Sequence, residues 1–156
     1  MKLIIISGLS GSGKTVALHT LEDEDYYCVD NLPIGLLPQF VERILSRKVQ
    51  VYDHIAVGID ARSDSEDLRD FNSIIEWIQH RDSDTKIEIE IIYIQAELET
   101  LIKRFSDTRR KHPLTRKGLP LSEAIEVERS LLKDVATAAD LYIDTTYTNI
   151  HELRNY

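Results

Sequence analysis

Residues 8–15, Gly8-Leu9-Ser10-Gly11-Ser12-Gly13-Lys14-Thr15, fit G-x-x-x-x-G-K-[ST] in full. An apolar run, Leu3-Ile4-Ile5-Ile6, precedes the motif, and helical spacing follows it. Such a loop wraps its backbone amides around phosphate oxygens. Gly8, Gly11 and Gly13 relieve the steric limit on that curvature, and helix-terminal N–H groups add positive field at the same place. The motif therefore assigns Gly8, Leu9, Ser10, Gly11, Ser12, Gly13, Lys14 and Thr15 to a nucleotide's phosphates. Lys14 is the point charge for the β- and γ-phosphates, and the Thr15 hydroxyl is a ligand for Mg²⁺. The expected ligand is ATP or GTP with Mg²⁺, and the spacing carries no base preference.

The rest of the chain alternates short apolar runs with helical spacing. Strands are expected at Lys2–Ser7, Tyr26–Val29, His54–Ile59, Ile87–Ile94 and Asp140–Asp144. Helices are expected at Val16–Glu22, Leu36–Ser46, about 66–80, Glu97–Phe105 and about 123–138, the last capped by Ser122. Strand Ile87–Ile94 alternates Ile and Glu before turning apolar at Ile91-Ile92, which suggests one wet stretch that then enters the sheet. Asn149 is placed to cap a terminal helix near Ile150, and the ending at Tyr156 reads as cut short. Strands buried on both sides and alternating with helices predict a three-layer α/β domain, a P-loop NTPase fold with a mainly parallel sheet.

Asp60 ends the apolar run Ile55-Ala56-Val57-Gly58-Ile59. A carboxylate at the tip of a parallel strand faces the ligand crevice and can bind Mg²⁺, or it can simply cap a turn. Arg62 can touch phosphate or pair with Asp64, Glu66 and Asp67. Asp30 ends the second strand, where an acid can orient or deprotonate an acceptor hydroxyl; equally, it can bond its own backbone ahead of Pro33. Cys28 has no legible activating partner and reads as a buried strand residue.

Charge is uneven along the chain. Nineteen basic residues against 27 acidic give −8 overall, yet residues 103–117 hold seven basic groups and one acid, a net +6, leaving −14 on the remainder. That balance argues against broad nucleic-acid coating and for one focused anion site. Arg109 and Arg110 can close over a triphosphate and stabilise its transferring charge, or the stretch can meet an RNA backbone or an acidic protein. A solvated loop that balances an acidic body is the third option. His112, followed by Pro113, reads as loop structure rather than a base.

Several classes are excluded. One cysteine rules out an internal disulfide and a Cys-based zinc site. The first apolar run is too short for a signal peptide or a membrane span, so a cytoplasmic setting is expected. Ala61-Arg62-Ser63 after Asp60 is not the D-x-x-G turn of a Ras-like GTPase, and no N-K-x-D segment reads guanine.

Taken together, Gly8–Leu18 (GLSGSGKTVAL), Tyr27–Pro33 (YCVDNLP), Gly58–Arg62 (GIDAR), Phe105–Leu114 (FSDTRRKHPL), Gly118–Glu128 (GLPLSEAIEVE) and Ala139–Thr145 (ADLYIDT) resemble the RapZ/YvcJ family of P-loop proteins. The resemblance implies an N-terminal nucleotide-binding domain related to small nucleotide and metabolite kinases, with a second domain absent from this chain. It also implies a homo-oligomeric RNase adapter. The longer protein binds a small regulatory RNA, presents it to ribonuclease E and so controls amino-sugar synthesis, with weak ATP or GTP hydrolysis. On this sequence the resemblance places Gly8 and Gly13–Thr15 in the phosphate loop and Asp60 at the Walker-B-like strand end. Gln95 departs from the aspartate common there in relatives. The alternative reading is a small-metabolite kinase, with Asp30 handling the acceptor hydroxyl and Lys14, Asp60, Arg109 and Arg110 the transferring phosphoryl group.

Overall fold

The apolar runs pair as one parallel sheet. A computed structural model describes residues 2–45, 53–60, 68–80, 87–108, 112 and 120–146. Among these, five strands run β1 (Lys2–Gly8), β2 (Tyr27–Val29), β3 (His54–Ile59), β4 (Glu88–Gln95) and β5 (Leu141–Asp144). Their spatial order is β2-β3-β1-β4-β5, with every neighbouring pair parallel. The helices are α1 (Lys14–Asp23), α2 (Leu37–Leu45, after a 3₁₀ turn at Ile34–Leu36), α3 (Phe71–Gln79), α4 (Leu98–Thr108), α5 (Leu121–Leu131) and α6 (Lys133–Ala138).

Period-two alternation along β1 sorts its side chains between two helical layers. Leu3 and Ile5 pack with Leu37 and Val41 of α2, Phe71 and Ile78 of α3, and Val135 of α6. Ile4 and Ile6 pack with Leu18 of α1 on the other face. The three-layer α/β architecture is thus the observed one. The wet half of β4 also has a cause: β5 pairs only with Ile92–Gln95, so among the described residues no strand flanks Glu88–Ile91 on that side. There Asp140 replaces a strand, accepting from the Ile91 amide at 2.8 Å.

Three boundaries differ from the sequence reading. Helix α1 starts at Lys14, two residues before Val16, because Gly13 (φ 114°, ψ 12°) turns the chain directly from loop to helix. The predicted helix 123–138 is two helices, α5 and α6, broken at Leu132 (φ −94°, ψ 8°). The break redirects the buried face: Ile125 packs with Leu9 and Leu101, whereas Leu132 and Val135 enter the main core. Ser122 does not cap this helix; Pro120 (φ −58°, ψ 152°) holds the N-cap position and Ser122 lies in the first turn. The terminal helix expected near Ile150 lies outside the described residues.

Candidate phosphate site

The site sits where β1 and β3 end side by side. Ser7 pairs with Ile59 in register, so Gly8 and Asp60 leave adjacent strand tips together. A Cβ on Gly8 would lie 2.1 Å from the Ile94 carbonyl oxygen, so only glycine fits where the loop leaves the sheet. Leu9 then buries its side chain completely with Ala96, Leu101 and Ile125, while its amide donates to Ile94 O at 3.1 Å. The loop turns back on itself as Ser12 N–H donates to Leu9 O at 3.0 Å. Gly13, in the left-handed region, launches α1, and its carbonyl accepts the Ala17 amide.

Lys14 and Asp60 are brought together. Lys14 Nζ lies 3.6 Å from Asp60 Oδ2, with both side chains at least nine-tenths buried. Thr15 is exposed on the first turn of α1. Two hydroxyls at this end, Ser7 Oγ and Ser12 Oγ, are buried with no hydrogen-bond partner. Such groups are costly to leave unsatisfied. A buried hydroxyl within a glycine-rich loop, a lysine beside it and a helix N-terminus make a donor set for a polyanion.

Asp30 is not joined to that pair. It is exposed, and its Oδ1 accepts from the adjacent Asn31 amide at 2.8 Å, with Asn31 itself at φ 57°. Its carboxylate also lies over β3, where a Cβ on Gly58 would meet Oδ1 at 2.6 Å. That hydrogen bond is of the kind the turn-forming role calls for. The Cys28 thiol is pushed upward by burial and by Glu22, and donates to Leu18 O at 3.3 Å. Arg62, Arg109 and Arg110 lie outside the described residues.

The loop's outer side is held by residues that carried no individual role in the sequence reading. Arg104 Nη1 donates to Gly11 O at 3.0 Å and to Thr145 Oγ1 at 3.0 Å. Thr145 Oγ1 in turn donates to Ser12 O. Burial lowers the Arg104 guanidinium pKa, against the opposing field of Asp144. Glu128, fully buried on α5, accepts from Ser10 N–H at 2.8 Å and from the Ser10 hydroxyl. His112 Nε2 lies 3.1 Å from Glu128 Oε1. One signal for Glu128 was available: it falls in helical register with buried Ala124 and Ile125, a carboxylate where the spacing wants an apolar residue. Gln95 accepts from Arg129 at 3.4 Å and donates to Asp144 at 3.3 Å, so it spans two opposite charges.

Comparison with known proteins gives a consistent picture. The RapZ-like N-terminal domain family model matches residues 1–156. A nucleotide-binding protein of Methylococcus capsulatus is 53% identical over 99% of this chain, which covers 51% of that protein. A nucleotide-binding protein of Nitrosococcus oceani is 54% identical over 99% of the chain and 52% of its own length. The chain thus spans about half the length of the curated relatives it matches. Among solved structures, a sugar kinase from Janibacter superposes with a TM-score of 0.61 at 16% identity, covering 99% of this chain and 91% of that one. At that identity the likeness is one of fold.

Proposed function

Because the chain belongs to the RapZ-like N-terminal domain family, we propose that it binds a nucleoside triphosphate, ATP or GTP, with Mg²⁺. The observation that carries this reading is the buried Lys14–Asp60 pair at 3.6 Å beside a loop holding an unpartnered buried Ser12 hydroxyl. The loop amides other than those of Leu9, Ser10 and Ser12, together with the Ser12 hydroxyl and Lys14, hold the phosphates; Thr15 and Asp60 offer hard oxygen donors to the magnesium. Among the described residues no cluster of three or more His, Cys, Asp or Glu could hold a metal alone. That suits an ion that keeps its waters and takes further oxygens from phosphate. Bound magnesium would supply charge neutralisation at the phosphates; Arg109 and Arg110 add positive charge from the chain.

The role is regulatory rather than metabolic. Within a longer protein, of which this chain spans about half, the domain reports nucleotide state to a cytoplasmic, homo-oligomeric RNase adapter. That adapter binds a small regulatory RNA and presents it to ribonuclease E, with slow hydrolysis resetting the domain. The family resemblance supports this reading. The kinase alternative rests on likeness of fold, and one oxygen of Asp30, its acceptor-side acid, is already bonded to the Asn31 amide.

Calorimetric titration with Mg-ATP and Mg-GTP tests the proposal. Saturable binding of either supports it and ranks the two bases; absence of binding by both contradicts it. A phosphorylated acceptor formed well above background hydrolysis would favour the kinase instead.

A further inference from the structure

We propose that Glu128, set against His112, is the positioning residue that holds the phosphate loop in its ligand-binding curvature; the inference rests on the phosphate-site reading above. Glu128 is fully enclosed on a helix face otherwise built from Ala124 and Ile125. Packing alone would be served by an apolar side chain, and a buried carboxylate is costly unless its oxygens are satisfied. They are satisfied by the phosphate loop. The amide and the hydroxyl of Ser10, 118 positions away, both donate to this one carboxylate.

Ser10 stands at the middle of the loop. Leu9 before it is fixed by its buried side chain, and Gly11 after it is fixed through its carbonyl by Arg104. Glu128 supplies the remaining tie, committing the Ser10 amide to the protein. Beyond it the Ser12 amide is taken by Leu9 O, and the buried Ser12 hydroxyl is left to a ligand. A carboxylate next to an anion site would by itself oppose phosphate binding. Here the carboxylate is enclosed by protein, with its oxygens accepting from Ser10, and His112 Nε2 stands 3.1 Å from Oε1. Phe105 completes the support: its ring lies 5.4 Å from that of His112, and its edge would stand 3.2 Å from a Cβ on Gly11.

The test compares Glu128→Ala, Glu128→Gln, His112→Gln and Ser10→Ala with Val135→Ala, a core change remote from the loop. Readouts are amide hydrogen exchange of residues 8–15, the Kd for Mg-ATP and Mg-GTP, and the thermal midpoint. Glu128→Ala is expected to accelerate exchange through the loop and weaken nucleotide binding about tenfold or more. Glu128→Gln keeps an acceptor for the Ser10 amide and should recover most of both. His112→Gln and Ser10→Ala should fall between wild type and Glu128→Ala. Val135→Ala should lower the midpoint while leaving loop exchange and Kd unchanged. Wild-type loop exchange in Glu128→Ala, or the same loop changes in Val135→Ala, would overturn the proposal. Should Glu128→Ala not fold, faster loop exchange in Ser10→Ala supports it and unchanged exchange overturns it. If the wild-type protein bound no nucleotide, the functional reading would fail, whereas loop exchange would still decide the role of Glu128.

Discussion

Lys14, the first residue of α1, and Asp60, just past the end of β3, form a buried ion pair, Nζ to Oδ2 at 3.6 Å. Each is the other's partner before any ligand arrives. On the proposed function, binding would be an exchange: Lys14 would turn from a carboxylate to phosphate, and Asp60 would be released toward magnesium. The pair sets a buried ammonium against a buried carboxylate, which offsets part of the cost of enclosing each charge.

Asp60→Asn removes one partner and leaves a buried ammonium. It should cost about 1–3 kcal/mol of stability, measured by urea unfolding. In the same variant, nucleotide affinity should lose most of its dependence on magnesium while binding of the metal-free nucleotide is kept or strengthened. Unchanged magnesium dependence would remove Asp60 from the metal's side.

Gly8→Ala places a methyl 2.1 Å from the Ile94 carbonyl, a backbone group that cannot move without breaking the β1–β4 ladder. The expected loss is about 3 kcal/mol, read as a lower denaturation midpoint. A variant of wild-type stability would show that the loop leaves the sheet by another path.

Thr145→Val keeps the shape of a buried side chain and deletes its hydroxyl. Ser12 O loses a donor and Arg104 loses one of its acceptors, while Arg104 retains Gly11 O and the Thr145 carbonyl. Stability should fall by about 1–2 kcal/mol, with weaker nucleotide binding measured calorimetrically. Full retention of both would mean that Thr145 only fills space.

Tyr93 is buried in β4 and stacked on Tyr142 at 5.4 Å. Burial, then Tyr142 and Glu128, push its phenol well above the usual tyrosine value. The raised folded-state pKa means that this contribution is intact below the ordinary value of about 10 and is lost as pH rises toward the folded one. Thermal midpoints should therefore decline steeply above about pH 10. Tyr93→Phe should decline less steeply; an equal slope would exclude Tyr93 as the cause.

What the sequence revealed were the features that depend on near neighbours in the chain. Eight consecutive residues specify the phosphate loop, and Asp60 was legible because an apolar strand of matching length ends on it. The break at Leu132 was not legible, because it depends on two separate apolar clusters competing for one helical stripe. Glu128, Arg104 and Thr145 escaped assignment for a related reason. Their contacts join residues 118, 93 and 133 positions apart, and no local period encodes which ends of the fold meet. Asp30 shows the converse case: both of its roles were legible from its neighbours in the chain, and its local hydrogen bond to the next amide is the kind of contact a turn makes.

The most direct measurement is the Kd of Mg-ATP and Mg-GTP for wild type and Lys14→Ala, side by side, with the thermal midpoint of each. The expected result is saturable binding by wild type that the substitution weakens by about a hundredfold, a loss larger than any accompanying change in stability explains. Equal affinity in the two proteins would contradict the account, because the phosphates would then be held without the one cation that the loop carries to them.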